Sequence, residues 1–295
     1  MTADRRAEGH GASFSWPDGA DAALGVTFDL DAESAVLAVD VAFASRPSVM
    51  SHQAYGPRTG LPRLLRLLAE HEIRATFFVP GFTAERHPGA VEAILADDHE
   101  IAHHGYLHRP PSSLSPDEER AEIERGLEAL DRLGVRPVGF RAPWWDSSPR
   151  TLDLLSEFGF AYDASLFDQD LPYVIETASG SIVEIPESWA LDDWEKYAFL
   201  PDPPTGSGVI EAPSRVADNW WEEITAYHAD GACCVLVMHP FLSGRPARAG
   251  ALGTLLDRAL ELPGLWIATM REIADHCASL GMEPVPQAPP PLGDA

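Results

Sequence analysis

Between Val26 and Ala35 the chain reads VTFDLDAESA, where an apolar, strand-forming run ends in Asp29 and Asp31 with a single leucine between them. Residues two apart on an extended chain project to one face, so both carboxylates would share a pocket while Leu30 turns away. Two carboxylates that close repel unless a cation separates their roles. Further along, HHGYLHRP places His104 and His108 four residues apart. At that spacing two imidazoles face one point if the chain makes a turn, and Gly105 and Pro110 favour a loop over a long helix. One aspartate oxygen, two imidazole nitrogens and a water make an open catalytic site of the zinc type, in which the metal lowers the pKa of its water to about 7.

The other candidate groups also close apolar runs: Arg141 in RAPWW, Asp163 in FAYDASL and His239 in VMHP. Taken singly, each has an ordinary explanation as a turn, a surface pair, an ion-pair residue or a satisfied core histidine. Their joint placement at the ends of successive strands is the signature of an active site.

Elements of the right kind surround them. LGVTFDL and IRATFFVPG read as buried strands, and LPRLLRLLAEH has leucines at helical spacing behind Pro62. SPDEERAEIERGLEALDRLG predicts a long helix, with Ser115 and Glu118 as a capping box and Gly134 as its stop; Thr269 and Glu272 open a last helix in the same way. HEIAHHG, RPVGFRAP, FAYDASL, ACCVLVMHP and LWIAT read as further strands, with helices between most of them. The segment from Ser34 to Gly60 lacks one period, and roughly Asp168 to Asn219 is rich in Pro, Asp and Trp and reads as irregular apart from a strand in SIVEIP. Repeated strand-helix units predict an α/β fold with a parallel sheet, open or closed as a barrel, and chemistry then gathers at the carboxyl ends of the strands.

With 295 residues, the chain suits a single barrel as well as two smaller domains. Its 46 acidic residues against 21 basic ones, a net charge of -25, oppose nucleic acid and anionic membrane surfaces as partners. There is no apolar stretch of secretory type near the start and no window of transmembrane length, so a cytoplasmic location is expected. Cys233, Cys234 and Cys277 suit a reducing compartment and read as buried small hydrophobes.

With these residues in view, the chain resembles the polysaccharide deacetylase superfamily, also called NodB-homology or carbohydrate esterase family four, from about Leu24 to Ala274. The matching motifs are TFDLD, HHGYLH, RAPWW, the stretch around YDASLFDQD, and VMHP. The resemblance implies a single distorted (β/α) barrel over residues 24–282, after a lead at 1–23 and before a proline-rich, disordered tail at 283–295. It implies that Asp31, His104 and His108 bind a divalent metal, zinc foremost, that Asp29 is the general base oriented by Arg141, and that His239 is the general acid. Asp163 or Asp170 would be the aspartate of the fourth motif, and His103 a neighbour of the ligands. The Asp29-Leu30-Asp31 spelling, together with Trp189, Asp192 and Asp193 in EIPESWALDDW, resembles the branch of cytosolic peptidoglycan-deacetylase-like and allantoinase- or imidase-like proteins, in which homotetramers are usual.

The implied activity is hydrolysis of a non-peptide carbon–nitrogen bond in an N-acetyl amino sugar or small amide. The alternatives are ring opening of a cyclic ureide or imide, and a barrel that binds sugar without turnover. Trp144, Trp145, Tyr106, Trp189 and Asp170 are candidate substrate contacts, with Trp194 part of the same aromatic cluster; Trp220 and Trp221 could equally pack in the core, and His52 and Tyr55 lie in a loop-like stretch.

Overall fold

The structure, a computed structural model, describes residues 14–201, 204–205 and 208–287. The first strand, β1 (Ala22–Asp29), is followed by α1 (Ser34–Val39), α2 (Pro47–Tyr55) and α3 (Leu61–Glu70), then β2 (Thr76–Val79), α4 (Gly81–Arg86), α5 (Pro88–Ala96) and β3 (Glu100–His103). The long α6 (Pro116–Asp131) leads to β4 (Gly139–Phe140), α7 (Thr151–Glu157), β5 (Tyr162–Asp163) and a hairpin of β6 (Tyr173–Thr177) and β7 (Gly180–Glu184). After α8 (Trp194–Tyr197), β8 (Leu200–Pro201) and β9 (Pro204–Thr205) come α9 (Pro213–Asp230), β10 (Cys233–Met238), α10 (Pro246–Leu260), β11 (Leu265–Ala268), α11 (Met270–Ser279) and β12 (Val285–Pro286).

The main sheet runs in the order β10-β1-β2-β3-β4-β5-β7-β6-β12, with β11 also on β1. Every pairing in it is parallel except β6 with β7. This is the expected α/β fold. Strand pairing among the described residues does not join β10 to β12. Instead the Cys233 amide donates to the Asp170 carbonyl at 2.9 Å and the Asp193 amide to the Val237 carbonyl at 3.0 Å, so irregular chain flanks β10 where a barrel strand would stand.

Alternation along β1 sorts its side chains. Leu24, Val26, Phe28 and Leu30 lie in the large cluster beneath the helices, with Leu64 and Leu68 of α3, Leu255 and Leu256 of α10 and Phe77 of β2. Ala23 faces a second cluster inside the sheet with Phe78, Ala102, Val235 and Val237, sealed by Met270, Ile273 and Cys277 of α11. Thr27 and Asp29 follow Ala23 on the inner face by the same period of two. Asp29 closes β1, while His104, Arg141 and His239 come directly after β3, β4 and β10. The carboxyl ends of four parallel strands therefore meet at one place.

Several elements match the sequence reading, including both capping boxes, with Ser115 and Thr269 each exchanging bonds with the glutamate three residues on. Others differ. The strands expected in RPVGFRAP and FAYDASL shrink to two paired residues each. The 34–60 stretch is helical throughout much of its length, but in short pieces broken by 3-10 and π turns, so no single period shows. The segment read as irregular holds β6 and the first turns of α9, an 18-residue helix that buries Val216, Trp220 and Ile224 at four-residue spacing. Part of the expected lead is packed: Trp16 is buried and its indole N–H donates to the Gly231 carbonyl at 2.9 Å. Val285 and Pro286, in the stretch expected to be a disordered tail, pair with β6. Residues 1–13 and 288–295 of those two expectations lie outside the described residues.

Gly126 lets α6 lie directly against the end of β3. A Cβ there would sit 2.2 Å from His103 Nε2 and 2.8 Å from the Gly105 carbonyl, whereas one on Gly89 of α5 would meet nothing within 4 Å. Gly126→Ala is expected to lower stability by about 1–3 kcal/mol and Gly89→Ala to raise it by about 0.4–1 kcal/mol. Urea midpoints at unchanged slope measure both.

Candidate active site

Asp29 and Asp31 are 5% and 1% exposed, at the mouth of the sheet. Leu30 between them is buried in the outer core, so the pair shares the inner face as the spacing predicted. Arg141 is wholly buried. One end of its guanidinium donates to Asp29 Oδ1 at 2.5 Å, the other to Glu187 Oε1 at 2.5 Å, and Thr27 Oγ1 accepts from both at 3.1 Å. Its guanidinium carbon also lies 3.9 Å from the centroid of the Phe78 ring. Burial works against the arginine's charge, but the two carboxylates hold its pKa above the ordinary value. Burial pushes Glu187 up, against the pull of Arg141, to about 8. Arg141 thus fixes one oxygen of Asp29 and leaves Oδ2 facing His104 Nε2 at 3.7 Å. Sequence reasoning passed over Glu187, because only the fold brings it to Arg141.

The histidine loop is held from behind by α6. Glu122 Oε2 accepts the amides of Tyr106 and Leu107 at 3.0 and 2.8 Å, and its Oε1 accepts Arg109 Nε at 3.0 Å. Gly105 and His108 take left-handed φ of 69° and 61°, so the chain turns tightly between the two imidazoles. His104 Nδ1 lies 2.7 Å from the Arg141 carbonyl, which can only accept, so Nδ1 carries the proton and Nε2 presents its lone pair. Burial lowers the His104 pKa to about 4 despite the charges of Asp29 and Asp31, so this ring is neutral near pH 7.

His239 is fixed from the opposite side. Asp193, fully buried, lies 2.7 Å from His239 Nδ1, accepts the His239 amide at 3.0 Å, and is bonded by the amide and hydroxyl of Ser243. Burial lowers the pKa of His239, but the Asp193 hydrogen bond and the charges of Asp193, Asp192 and Asp31 outweigh it and raise it to about 10. The fourth-motif expectation is corrected here: neither Asp163 nor Asp170 reaches His239. Asp163 is buried at the end of β5 and accepts from Ser165 Oγ at 2.7 Å, while Asp170 is exposed and meets β10 through its carbonyl.

A cleft of about 130 Å³ opens over these groups, lined further by Trp144, Trp145, Trp189, Trp194, Asp192 and Glu195. Three of the residues expected as substrate contacts, Trp144, Trp145 and Trp189, thus line this cleft, and Trp194 joins them. Tyr106 does not. Its hydroxyl donates to Glu85 at 2.9 Å and its ring carries Arg125 at 3.7 Å, away from the cleft. Asp170 is also absent from the lining. His103 is buried behind the site with Nε2 3.1 Å from the Ile123 carbonyl, a neighbour as expected. Trp220 is core, and its indole N–H donates to the Ala190 carbonyl at 3.1 Å; His52 lines a separate cavity beside Arg245 and Arg248. The three cysteines are free and buried.

The donor set fits a divalent metal. Neither oxygen of the Asp31 carboxylate has a hydrogen-bond partner, yet it is 1% exposed. His104 Nε2 stands 3.5 Å from Oδ1, and His108 Nε2 stands 3.3 Å from Oδ2. A neutral His104 aims a lone pair at a carboxylate lone pair, an arrangement that a cation between them resolves. Burial raises the Asp31 pKa, but the imidazoles gathered around it, His108 foremost, carry it below the ordinary carboxylate range.

The family model for polysaccharide deacetylases matches residues 45–162, a span holding His104, His108 and Arg141 but neither Asp29, Asp31 nor His239. A Mycobacterium smegmatis structure described as a candidate polysaccharide deacetylase superposes with a TM-score of 0.93 at 48% identity, over 96% of this chain and 99% of that one. This chain belongs to the polysaccharide deacetylase family. Other polysaccharide deacetylase relatives include the peptidoglycan deacetylase of Helicobacter pylori, 28% identical over 78% of this chain and 87% of that protein. The structure of Puue allantoinase is similar as well, with a TM-score of 0.79 and 26% identity over 90% of this chain and 92% of that one. The deacetylases among these relatives are hydrolases of carbon–nitrogen bonds other than peptide bonds. Among the described residues, no helix is long and apolar enough to cross a membrane.

The Asp193 carboxylate is the main support of a charged His239. In metal-free protein, Asp193→Asn is expected to lower the His239 pKa by roughly one to three pH units, read by nitrogen NMR of the imidazoles. An unmoved titration would mean that other groups set it.

Proposed function

We propose that this polysaccharide deacetylase is a metal-dependent N-deacetylase that hydrolyses the amide of an N-acetyl amino sugar or a similar small amide. The observation that carries this reading is the convergence, at one cleft, of an orphaned Asp31 carboxylate between two imidazoles, a second carboxylate clamped by Arg141, and a histidine held by Asp193. Asp31, His104 and His108 would hold the divalent ion, with zinc favoured by the imidazole-rich set; when bound it supplies Lewis acidity that polarises a carbonyl and eases deprotonation of water.

The chain's own residues supply the proton transfers. Asp29 Oδ2 accepts the proton of the attacking water, while Arg141 keeps Oδ1 occupied and the carboxylate oriented. The water oxygen bonds to the carbonyl carbon as the carbon–nitrogen bond breaks. His239, with Nδ1 tied to Asp193, passes its Nε2 proton to the departing nitrogen, which leaves as an amine beside a carboxylic acid. An amide nitrogen leaves poorly until protonated, so acid and base are both required. Trp144 and Trp145 wall the cleft, and their indole faces suit the apolar face of a sugar ring. The cytoplasmic location and the homotetramer expected from the sequence belong to the same reading.

Ring opening of a cyclic ureide or imide is the second reading, favoured by the small cleft and by the likeness to Puue allantoinase. It uses the same attack on carbonyl carbon but keeps the leaving amine tethered. N-acetylglucosamine oligomers assayed beside allantoin, hydantoin and succinimide separate the two. Acetate release from the oligomers is expected; turnover of the cyclic compounds alone would shift the assignment to ring opening, and turnover of none would remove the hydrolase reading. Asp29→Asn is expected to keep bound metal and lose about 10²–10⁴-fold in turnover, and wild-type turnover in that variant would end its role as base.

A further inference from the structure

Two carboxylates of the cleft neither carry a proton nor hold the metal in the chemistry above. Asp29 and Asp31 are used as base and metal ligand, while Asp192 and Glu195 line the same cleft, Asp192 adding its charge at a distance from His239. No lysine or arginine lines it among the described residues. Arg141, the nearest guanidinium behind it, is wholly buried and engaged at both ends by Asp29 and Glu187. The two charges of a divalent ion would be matched by Asp29 and Asp31 and that of His239 by Asp193, so Asp192 and Glu195 set the sign felt by the rest of a substrate.

Asp192 is rigidly placed. It forms a parallel bridge with Val237 of β10, and its Oδ1 accepts the Trp194 amide at 2.7 Å. It stands 3.6 Å from His239 Nδ1, against 2.7 Å for Asp193, so Asp193 is the group that holds the imidazole. Glu195, half-buried on α8, adds a second negative charge to the same wall. Trp144 and Trp194, with ring centroids 5.5 Å apart at 71°, present electron-rich indoles beside them. Indole faces and carboxylates both favour cations and N–H or O–H donors, and both disfavour anions.

We propose that Asp192 and Glu195 make this cleft selective for uncharged or cationic substrates over carboxylate-bearing ones, with Asp192 accepting a hydrogen bond from a substrate N–H or O–H group beside the scissile carbonyl. The proposal names the substrate class of the site read above as a hydrolase and rests on that reading for the scissile bond alone. Its electrostatic content is a property of the cleft whether or not an amide turns over.

The test compares 2-aminoethyl glucoside, whose alkyl ammonium stays protonated, with N-acetylmuramate, an anion, titrated into zinc-loaded protein at pH 8 with intrinsic tryptophan fluorescence as the readout. That pH lies above the value of about 7 to which burial pushes Asp192. The cation is expected to bind at least about ten-fold tighter, and Asp192→Asn and Glu195→Gln are each expected to compress that ratio by about three-fold or more. A purely structural role for Asp192 would weaken both ligands alike and leave the ratio unchanged. Equal or tighter binding of the anion, or an unchanged ratio in both variants, would overturn the proposal. In parallel, kcat/KM is measured for N-acetylglucosamine oligomers with and without N-acetylmuramate units. Binding preference without turnover of any amide or imide would sink the hydrolase reading and leave this inference standing; turnover with no charge preference would do the reverse.

Discussion

A carboxylate shut away from water, with no hydrogen-bond partner for either oxygen and three imidazole nitrogens within 3.3 to 3.5 Å of it, is the feature around which the site is built. Desolvation alone penalises the Asp31 charge, and a neutral His104 offers it no proton. A positive ion among these groups would satisfy both the carboxylate and the lone pair of His104. The rest of the site follows from holding that cluster: the end of β1 delivers the aspartates, the loop after β3 delivers two imidazoles, and the residue after β10 delivers the third.

Buried glutamates keep these loops still. Glu122 caps the histidine loop through two amides and Arg109, Glu187 braces Arg141 from behind, and Glu119 ties Ser148, Arg150 and Thr151 in the turn that follows the two tryptophans. Glu122 and Glu119 each accept several hydrogen bonds, which offsets the cost of burying a carboxylate in a low-dielectric interior, while Glu187 has the Arg141 guanidinium against one oxygen. The layers are coupled through Arg141, whose side chain orients Asp29 while its carbonyl sets the tautomer of His104. The proposed base and a proposed metal ligand are therefore positioned by one residue. A carboxylate-rich cleft beside indoles then gives the site its electrostatic character toward whatever enters.

Much of this site was legible in the sequence because it depends on local rules. A period of two places Asp29 and Asp31 together with no knowledge of the fold, and polar residues closing apolar runs mark strand ends. His104 and His108 converge through a tight left-handed loop with Gly105 at its start, consistent with the loop that Gly105 and Pro110 suggested. What escaped depends on long-range contact. Asp193 meets His239 across 46 residues and Glu187 meets Arg141 across the same distance in sequence, so neither partnership has a local signal. The aspartate of the fourth motif was sought too early in the chain, because Asp163 looks like a strand-end carboxylate but its hydrogen bonds go to Ser165 and its neighbours. The helix α9 did carry a signal, the four-residue spacing of Val216, Trp220 and Ile224, which the proline- and tryptophan-rich context obscured.

Metal content measured by elemental analysis, on wild type and His104→Ala dialysed side by side against equimolar zinc, bears most directly on the ion at Asp31. Close to one zinc per wild-type chain and little in the variant is expected, since loss of one of three protein ligands removes an open tetrahedral site. Equal retention by both proteins, or none by wild type, would contradict the assignment of Asp31, His104 and His108 as ligands.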